Sequence, residues 1–430
     1  MTVTDQIAEF ALKDCGTPEA LHMMRLSILD WAACGIAGRS EPVSRMVRDM
    51  VLAEAGRPEA TLFGGGRTPA RGAALVNGVT SHALDYDDTH FAHIGHPSVA
   101  VVSAALAMAE RAEAHGDALV QAALAGVEAS TRIGVWLGRE HYQTGFHQTG
   151  TAGCFGAAIA AARLMGCDHA QMAHAIGLAS TRAAGLKSQF GTMGKPYNAG
   201  AAAAMGVEVA MLAEAGFVSN AQGLDAAQGF GPTHAGVADA AAFEGMGADW
   251  LFEEISHKFH ACCHGTHAMI EALLGVNVDA RDVTKIEVRT HPRWLKVCNQ
   301  PSPATGLEAK FSYRLIAALV LSGHDTASLE TFSDALTQDK ALMALRDKVT
   351  VVGDAQVSES STLVVIDAAG RRLEARADIS DPMEISLRQS KLISKAEALI
   401  GPQAGELKAA VLDGAMLDIN RLTTILGQGQ

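Results

Sequence analysis

Residues 199–216 read AGAAAAMGVEVAMLAEAG, an almost uninterrupted apolar helix pattern closed by glycine. Alanine and glycine occupy most of its length, so neighbouring backbones can approach it closely, and a compact, multi-layered helical bundle is the architecture that uses such a helix. The same texture recurs upstream in GAAIAAARL at 156–164. Helical units are expected at about 41–55, 68–84, 98–114, 117–137, 151–165, 168–185 and 198–215. Thr17-Pro18 opens a further one through LHMMRLSILDWAACGIAG (21–38), with Thr17 as its cap and Pro18 in its first turn.

After about residue 280 the pattern changes. TKIEVRTHP, KVTVVGD and STLVVIDAAGRRLEARA alternate apolar and polar residues and are rich in β-branched types, which predicts three or four strands of a small sheet. Helical patterns at 307–322, 328–335 and 339–347 are interleaved with them, and from about 385 helix returns in SLRQSKLISKAEALI and ELKAAVLDGAMLDINRLTTIL. The expected fold class is therefore mainly α with an α+β portion. An all-helical domain over 1–258 is followed by a smaller α+β domain over 259–385, and C-terminal helices over 386–430 return to the first domain.

A chain of 430 residues exceeds one simple core, and 48% apolar against 19% charged residues describes ordinary globular packing. The net charge of -13, with no Lys/Arg-rich run, excludes nucleic acid and anionic membrane surfaces as expected partners. A small anion stays open where a few cations converge. No segment shows the order of a signal peptide and no run of about 18 apolar residues occurs, so a soluble, cytoplasmic protein is expected. Seven cysteines without a paired framework, two of them the neighbours Cys262 and Cys263, point to reduced thiols.

Four polar islands interrupt the apolar scaffold. SHALDYDDTHFAHIGHPS (81–98) crowds Asp85, Asp87, Asp88, Thr89, His90, His93 and His96 together. GFHQTG surrounds His147, QFGTMGKPYNAG surrounds Lys195, and HKFHACCHGTH covers 257–267. Each lies at a helix start or a glycine-rich turn, where backbone N–H groups can receive anions. Such a set suits proton abstraction beside a carboxylate: histidine as base, aspartate or threonine to orient it, lysine to hold negative charge. Taken singly, His96-Pro97 reads equally as a turn with a hydrogen-bonded histidine, the aspartate run as a solvated helix end, and Lys195 as a surface charge.

His90, His93 and His96 recur at every third residue, and His260, Cys262, Cys263, His264 and His267 are potential ligands too. A three-residue step does not keep ligands on one side of an extended strand, and the second group lacks a Cys-x-x-Cys pair, so no metal is expected. FGGGRTPARG (63–72) lacks both the Lys-Ser/Thr ending of a phosphate loop and a G-x-G-x-x-G, and no G-x-S-x-G occurs. No cofactor and no serine nucleophile are expected.

NGVTSHALDYDDTHFAHIGHPS (77–98), GFHQTGTAGCFGAAIAAARL (145–164), FGTMGKPYNAG (190–200), KFHACCHGTH (258–267) and EAKFSYRLIAAL (308–319) together resemble the MmgE/PrpD family, which includes 2-methylcitrate dehydratase, cis-aconitate decarboxylase and iminodisuccinate epimerase. The resemblance implies a helical domain built from the N-terminal part and the C-terminal tail, a smaller α+β lid, and a homodimer. It also implies metal-free acid–base chemistry on a small di- or tricarboxylate in a cleft between the domains. Carried over position by position, it implies Asp85, Thr89, His96 and His147 as catalytic residues, with His96 the leading acid/base and His147 a second proton-transfer group. Lys195 and Lys258 are implied as carboxylate anchors, and Cys263 and His267 are assigned to substrate binding.

Two departures bear on the substrate. Cys263 stands where the decarboxylase has a histidine, and KFHACC replaces the usual KPYPCC. A 2-methylcitrate-dehydratase-like hydro-lyase is the expected activity. An epimerase of an iminodisuccinate-like dicarboxylate, a cis-aconitate-type decarboxylase, a non-catalytic carboxylate-binding protein and a zinc hydrolase are its rivals.

Overall fold

A computed structural model describes residues 2–14 and 16–429. Helices take up 57% of the chain, and its sheets are small. The residues fall into two compact units, one of 1–257 with 400–430 and one of 258–399.

Among the described residues of the larger unit nine α-helices precede residue 215: α1 (Val3–Leu12), α2 (Pro18–Gly38), α3 (Pro42–Ala53), α4 (Ala70–His82), α5 (Pro97–Arg111), α6 (Gly116–Thr144), α7 (Gln148–Leu164), α8 (His169–Ala179) and α9 (Gly194–Glu214). Their starts follow local chemistry. Thr2 and Asp168 form capping boxes, and the Thr17 hydroxyl accepts from Ala20 N ahead of Pro18. α6 outruns its expected end by passing through Gly138, whose φ of 74° kinks the helix. FGGGRTPARG forms a tight hairpin in which β1 (Ala60–Thr61) pairs with β2 (Arg67–Thr68).

α7 is the axis of this unit. Gln148 to Ala162 are buried without a break, and α5, α6, α8 and α9 pack around it. Small residues make the close approach possible. A Cβ added to Gly78 of α4 would lie 2.8 Å from Gly200 Cα of α9, and one on Gly206 of α9 would meet the Ala157 backbone at 2.6 Å. From residue 217 to 257 only one-turn and 3-10 segments occur, so the domain expected to be all-helical over 1–258 has its last long helix before that boundary at α9. Six glycines and Pro232 in that stretch leave it no helical run. The C-terminal helices Gln403–Val411 and Ile419–Leu426 pack on α2, where Arg25 Nε donates to Val411 O at 2.6 Å.

The smaller unit carries a sheet of order β4-β3-β5-β6: β3 (Val283–Thr290), β4 (Val349–Gly353), β5 (Ser361–Ala368) and β6 (Arg371–Asp378). β3 and β4 run parallel, which demands the helical crossover between them, while β5 and β6 form a hairpin through Ala369 and Gly370, both at positive φ. Helix His267–Leu274 packs on β5 and β6, and Tyr313–Leu321 packs on β4. The pattern at 328–335 resolves into a 3-10 turn and a single helical turn. Helix Ile385–Ile400, expected to return to the helical domain, clusters with this unit through Leu399. Its Lys391 Nζ lies 2.6 Å from both Glu271 carboxylate oxygens, which holds it to the helix His267–Leu274.

No helix among the described residues is long and apolar enough to cross a membrane. The contact of α4 with α9 gives a direct test. In Gly200→Ala the new methyl would run into the Leu75 carbonyl and Val79 N, both backbone. Helix propensity would gain about 1 kcal/mol, and overpacking against atoms that cannot rotate away costs roughly 1–3 kcal/mol. Net destabilisation in a denaturant titration is the expected outcome, and a stabilised variant would refute the close-packing account.

Candidate active site

Four helix ends of the larger unit meet at one place. His82 closes α4, His96 caps the start of α5, His147 caps the start of α7, and Lys195 sits in the first turn of α9. Three of these are helix N-termini, the ends that favour negative charge. His96 N is held by the Thr149 hydroxyl at 3.0 Å, and His147 N by Gly185 O at 3.0 Å, so both histidines are anchored at their backbones.

Buried Asp87 is the centre of the arrangement. Its carboxylate lies 2.7 Å from His96 Nδ1 and 2.9 Å from His82 Nδ1. Burial alone would raise this acid, but His82 and His96 outweigh it and hold the carboxyl well below the usual range. On its other edge His96 presents Nε2 to Asp85 Oδ1 at 3.3 Å, and Asp85 Oδ2 accepts from Lys195 Nζ at 2.7 Å. The His82 ring packs edge-on against His96 with centroids 4.5 Å apart and stacks on His147 at 6.2 Å. Asn198 Nδ2 donates to His147 Nδ1 at 3.1 Å, and Phe190 packs on the same imidazole.

Burial pushes His96 down to about 4, with Asp87 opposing, and pushes His147 well below the ordinary imidazole value, with His82 and Lys195 adding to the effect. Both rings are neutral near pH 7, as a base that must accept a proton requires. Asp88 turns away to the start of α5, where the Ser98 hydroxyl donates to it at 2.5 Å, and burial raises it to about 7 against that hydrogen bond.

Asp85, His96, His147 and Lys195 thus lie together. Thr89 is held by a backbone bridge to Ser256, and its hydroxyl reaches Ser256 O at 3.3 Å. Lys258, Cys263 and His267 belong to the smaller unit. There Lys258 and His267 are buried, Cys263 is half-buried, and His267 is driven well below its ordinary value by burial, then by His264, His260 and Lys258. His260 bridges Thr326 and Glu271 in the same unit, which makes it part of a polar network that includes Lys391.

Two regions of known sequence match: residues 3–242 the MmgE/PrpD N-terminal domain and residues 260–416 the MmgE/PrpD C-terminal domain. The chain belongs to the MmgE/PrpD family. Among its relatives, cis-aconitate decarboxylase of Homo sapiens is 28% identical over 326 residues, 71% of this chain and 67% of that protein. Cis-aconitate decarboxylase-like protein oryM of Aspergillus oryzae is 26% identical over 409 residues, 84% of each. A cis-aconitate decarboxylase of Aspergillus terreus is 23% identical over 468 residues, covering 98% of this chain and 94% of that protein. These relatives are lyases, and this MmgE/PrpD chain is an enzyme of the same family.

His82 and Asn198 are the members of this site that sequence reasoning passes over, and Asp87, named in the first polar island, was given no role there. His82 ends an alanine-rich helix pattern and Asn198 lies inside one, so neither stands out. The five-residue step from His82 to Asp87, spanning a helix end and a turn, was the available signal. The His90, His93, His96 series does not gather: His90 Nε2 contacts Leu251 O at 2.7 Å, and His93 is fully buried against Gly134. Among the described residues the group with metal-ligand spacing is instead His82, Asp85, Asp87 and His96, whose donor atoms lie within 4.8 Å of one another. Lys195 already supplies a cation to Asp85, and two imidazoles share Asp87, so every member has a partner that requires no ion.

The buried histidines set the acid limit of stability. In the unfolded chain they titrate at about 6.5, whereas burial holds His93 at about 3, His96 at about 4 and His141 at about 4. Their folded values are depressed, so their contribution is present above about 6.5 and drains away as pH falls toward 4. Asp88, raised to about 7, acts in the opposite sense, as do Glu128 and Glu253, both raised by burial, while His90, His147, His260 and His267 are lowered like the first three histidines. The melting temperature is expected to fall on acidification through this window, and a flat or rising profile would contradict the assignment.

Proposed function

We propose that the protein is a cofactor-free acid–base lyase that removes the proton next to a carboxylate of a small di- or tricarboxylate, with loss of water as its overall reaction. What carries the reading is neutral His96, gripped at Nδ1 by buried Asp87 and facing the Asp85–Lys195 pair through Nε2. A proton on Nδ1, which lies 2.7 Å from Asp87, leaves the lone pair on Nε2, the base of this reading. A substrate carboxylate competes with Asp85, 49% exposed, for the Lys195 ammonium. Its negative charge beside His96 raises the imidazole from about 4 toward working pH, where a general base is most effective.

His147 is the counterpart. Because Asn198 donates to Nδ1, the ring proton sits on Nε2, ready for a departing hydroxyl. The C–H electron pair becomes the new C=C bond as the C–O bond breaks; His96 takes up the C–H proton, the hydroxide leaves hydrogen-bonded to His147 Nε2–H, and the proton held by His96 then passes to it to give water. Lys195 and Lys258 are assigned to the substrate carboxylates, Asp85 and Thr89 to orientation, and Cys263 and His267 to substrate binding. A homodimer and a cytoplasmic location accompany this reading.

Decarboxylation is the second reading, favoured by the names of the relatives. In it the electron pair of the breaking C–C bond is captured by a proton from the same histidines. Cys263, at the position of a histidine, weighs against it.

Turnover of di- and tricarboxylates in deuterated water, followed by mass spectrometry, separates the possibilities. Loss of water supports the first reading and loss of carbon dioxide the second, while deuterium uptake without loss of mass would replace both with an epimerase. His96→Ala and Lys195→Ala are each expected to lower kcat/KM by at least about 10²-fold; if both leave it unchanged, the site is misassigned.

A further inference from the structure

Cys298 Sγ donates to Cys263 Sγ across 3.1 Å within the smaller unit. A disulfide measures about 2.05 Å between sulfurs, so the two are about 1 Å from bonding distance. Both backbones are held by one intervening segment. Cys263 N donates to Lys310 O at 3.0 Å, and Tyr313 N donates to Cys298 O at 3.0 Å. Gln300 N also donates to Phe311 O at 3.0 Å, which continues the pairing on the Cys298 side. The remaining approach therefore asks for side-chain rotation, with the main chain left in place.

The two sulfurs are not equivalent. Cys263 is half-buried and accepts the hydrogen bond, while Cys298 is fully buried and keeps its proton. The Cys298 thiol is pushed up by that hydrogen bond and by burial, and half-buried Cys263 is the sulfur that a peroxide can reach. Neighbouring Cys262 is turned to the Thr266 hydroxyl at 3.1 Å, and burial drives it up to about 12. It takes no part.

We propose that Cys263 and Cys298 are a peroxide-sensitive thiol pair, in which a hydroperoxide oxidises Cys263 and Cys298 closes a reversible disulfide. The Cys263 thiolate attacks one peroxide oxygen, the O–O bond breaks, and sulfenic acid and hydroxide form. The Cys298 sulfur then attacks the sulfenic sulfur, and hydroxide leaves and takes up the Cys298 proton as water. In sum, two thiols and hydrogen peroxide give one disulfide and two waters.

Full-length protein is treated with hydrogen peroxide, its remaining thiols are alkylated under denaturing conditions, and the peptides are mapped. The expected result is a Cys263–Cys298 cross-linked peptide, a mass lower by two hydrogens before alkylation, and reversal by dithiothreitol. Cys298→Ser is expected to lose the cross-link and leave a dimedone-reactive sulfenic acid on Cys263, Cys263→Ser to lose both, and Cys262→Ser to retain the cross-link. The wild-type map needs no variant to fold and no substrate, so its outcome is distinct from that of the catalytic reading. A cross-link through Cys262, or an unmodified Cys263 while other thiols oxidise, would overturn the proposal.

Discussion

Asp87 is a carboxylate buried to 1% exposure, and it survives as an anion because two imidazoles converge on it. A lone buried carboxylate would take up a proton to escape the desolvation cost. Sharing it between His82 and His96 removes that cost and fixes both rings at once. His82 belongs to the end of α4 and His96 to the start of α5, so the Asp87 bridge also sets the geometry of the turn between them. The orientation of His96, and with it the direction in which a proton can be accepted, descends from this one group.

Around it the electrostatics are arranged by helix packing. α5, α7 and α9 pack together, and all three present their N-termini to the same spot. Positive helix ends disfavour imidazolium and welcome anions, which agrees with two neutral histidines and a lysine held in reserve. The Gly78–Gly200 approach brings α4 against α9, so the spacing between Asp85 and Lys195 rests on residues that carry no functional group. A scaffold of larger side chains would open these helix pairs and separate the polar groups.

Much of this was legible in the sequence. Helix positions in the larger unit follow from long runs with strong periodicity, and the strands of the smaller unit from clear alternation. Asp85, His96, His147 and Lys195 stood out because polar islands contrast with alanine-rich surroundings. What stayed hidden has a common cause: His82 and Asn198, and the choice of Asp87 among its neighbouring acids, matter through side-chain pairing that an alanine-rich helix pattern does not display. The attachment of Ile385–Ile400 to the smaller unit was hidden for the same reason, since the Lys391–Glu271 ion pair spans 120 residues. The three-residue histidine step was rightly given no weight, because a regular step along the chain is no guide once the chain turns at Ile94, where φ is 57°.

Asp85 itself adopts φ of 52°, a left-handed conformation that side chains other than aspartate and asparagine rarely tolerate. The turn that follows α4 and the charge that meets Lys195 therefore make their demands on one position. Drift there is confined to a very short menu. Glycine would keep the turn and lose every polar contact, asparagine would keep the turn and the shape but surrender the charge, and glutamate would keep the charge but carry it one methylene further from the backbone. A lineage that exchanged this residue would have to change its backbone or its electrostatics, which makes position 85 a natural branch point where one chemistry could give way to another.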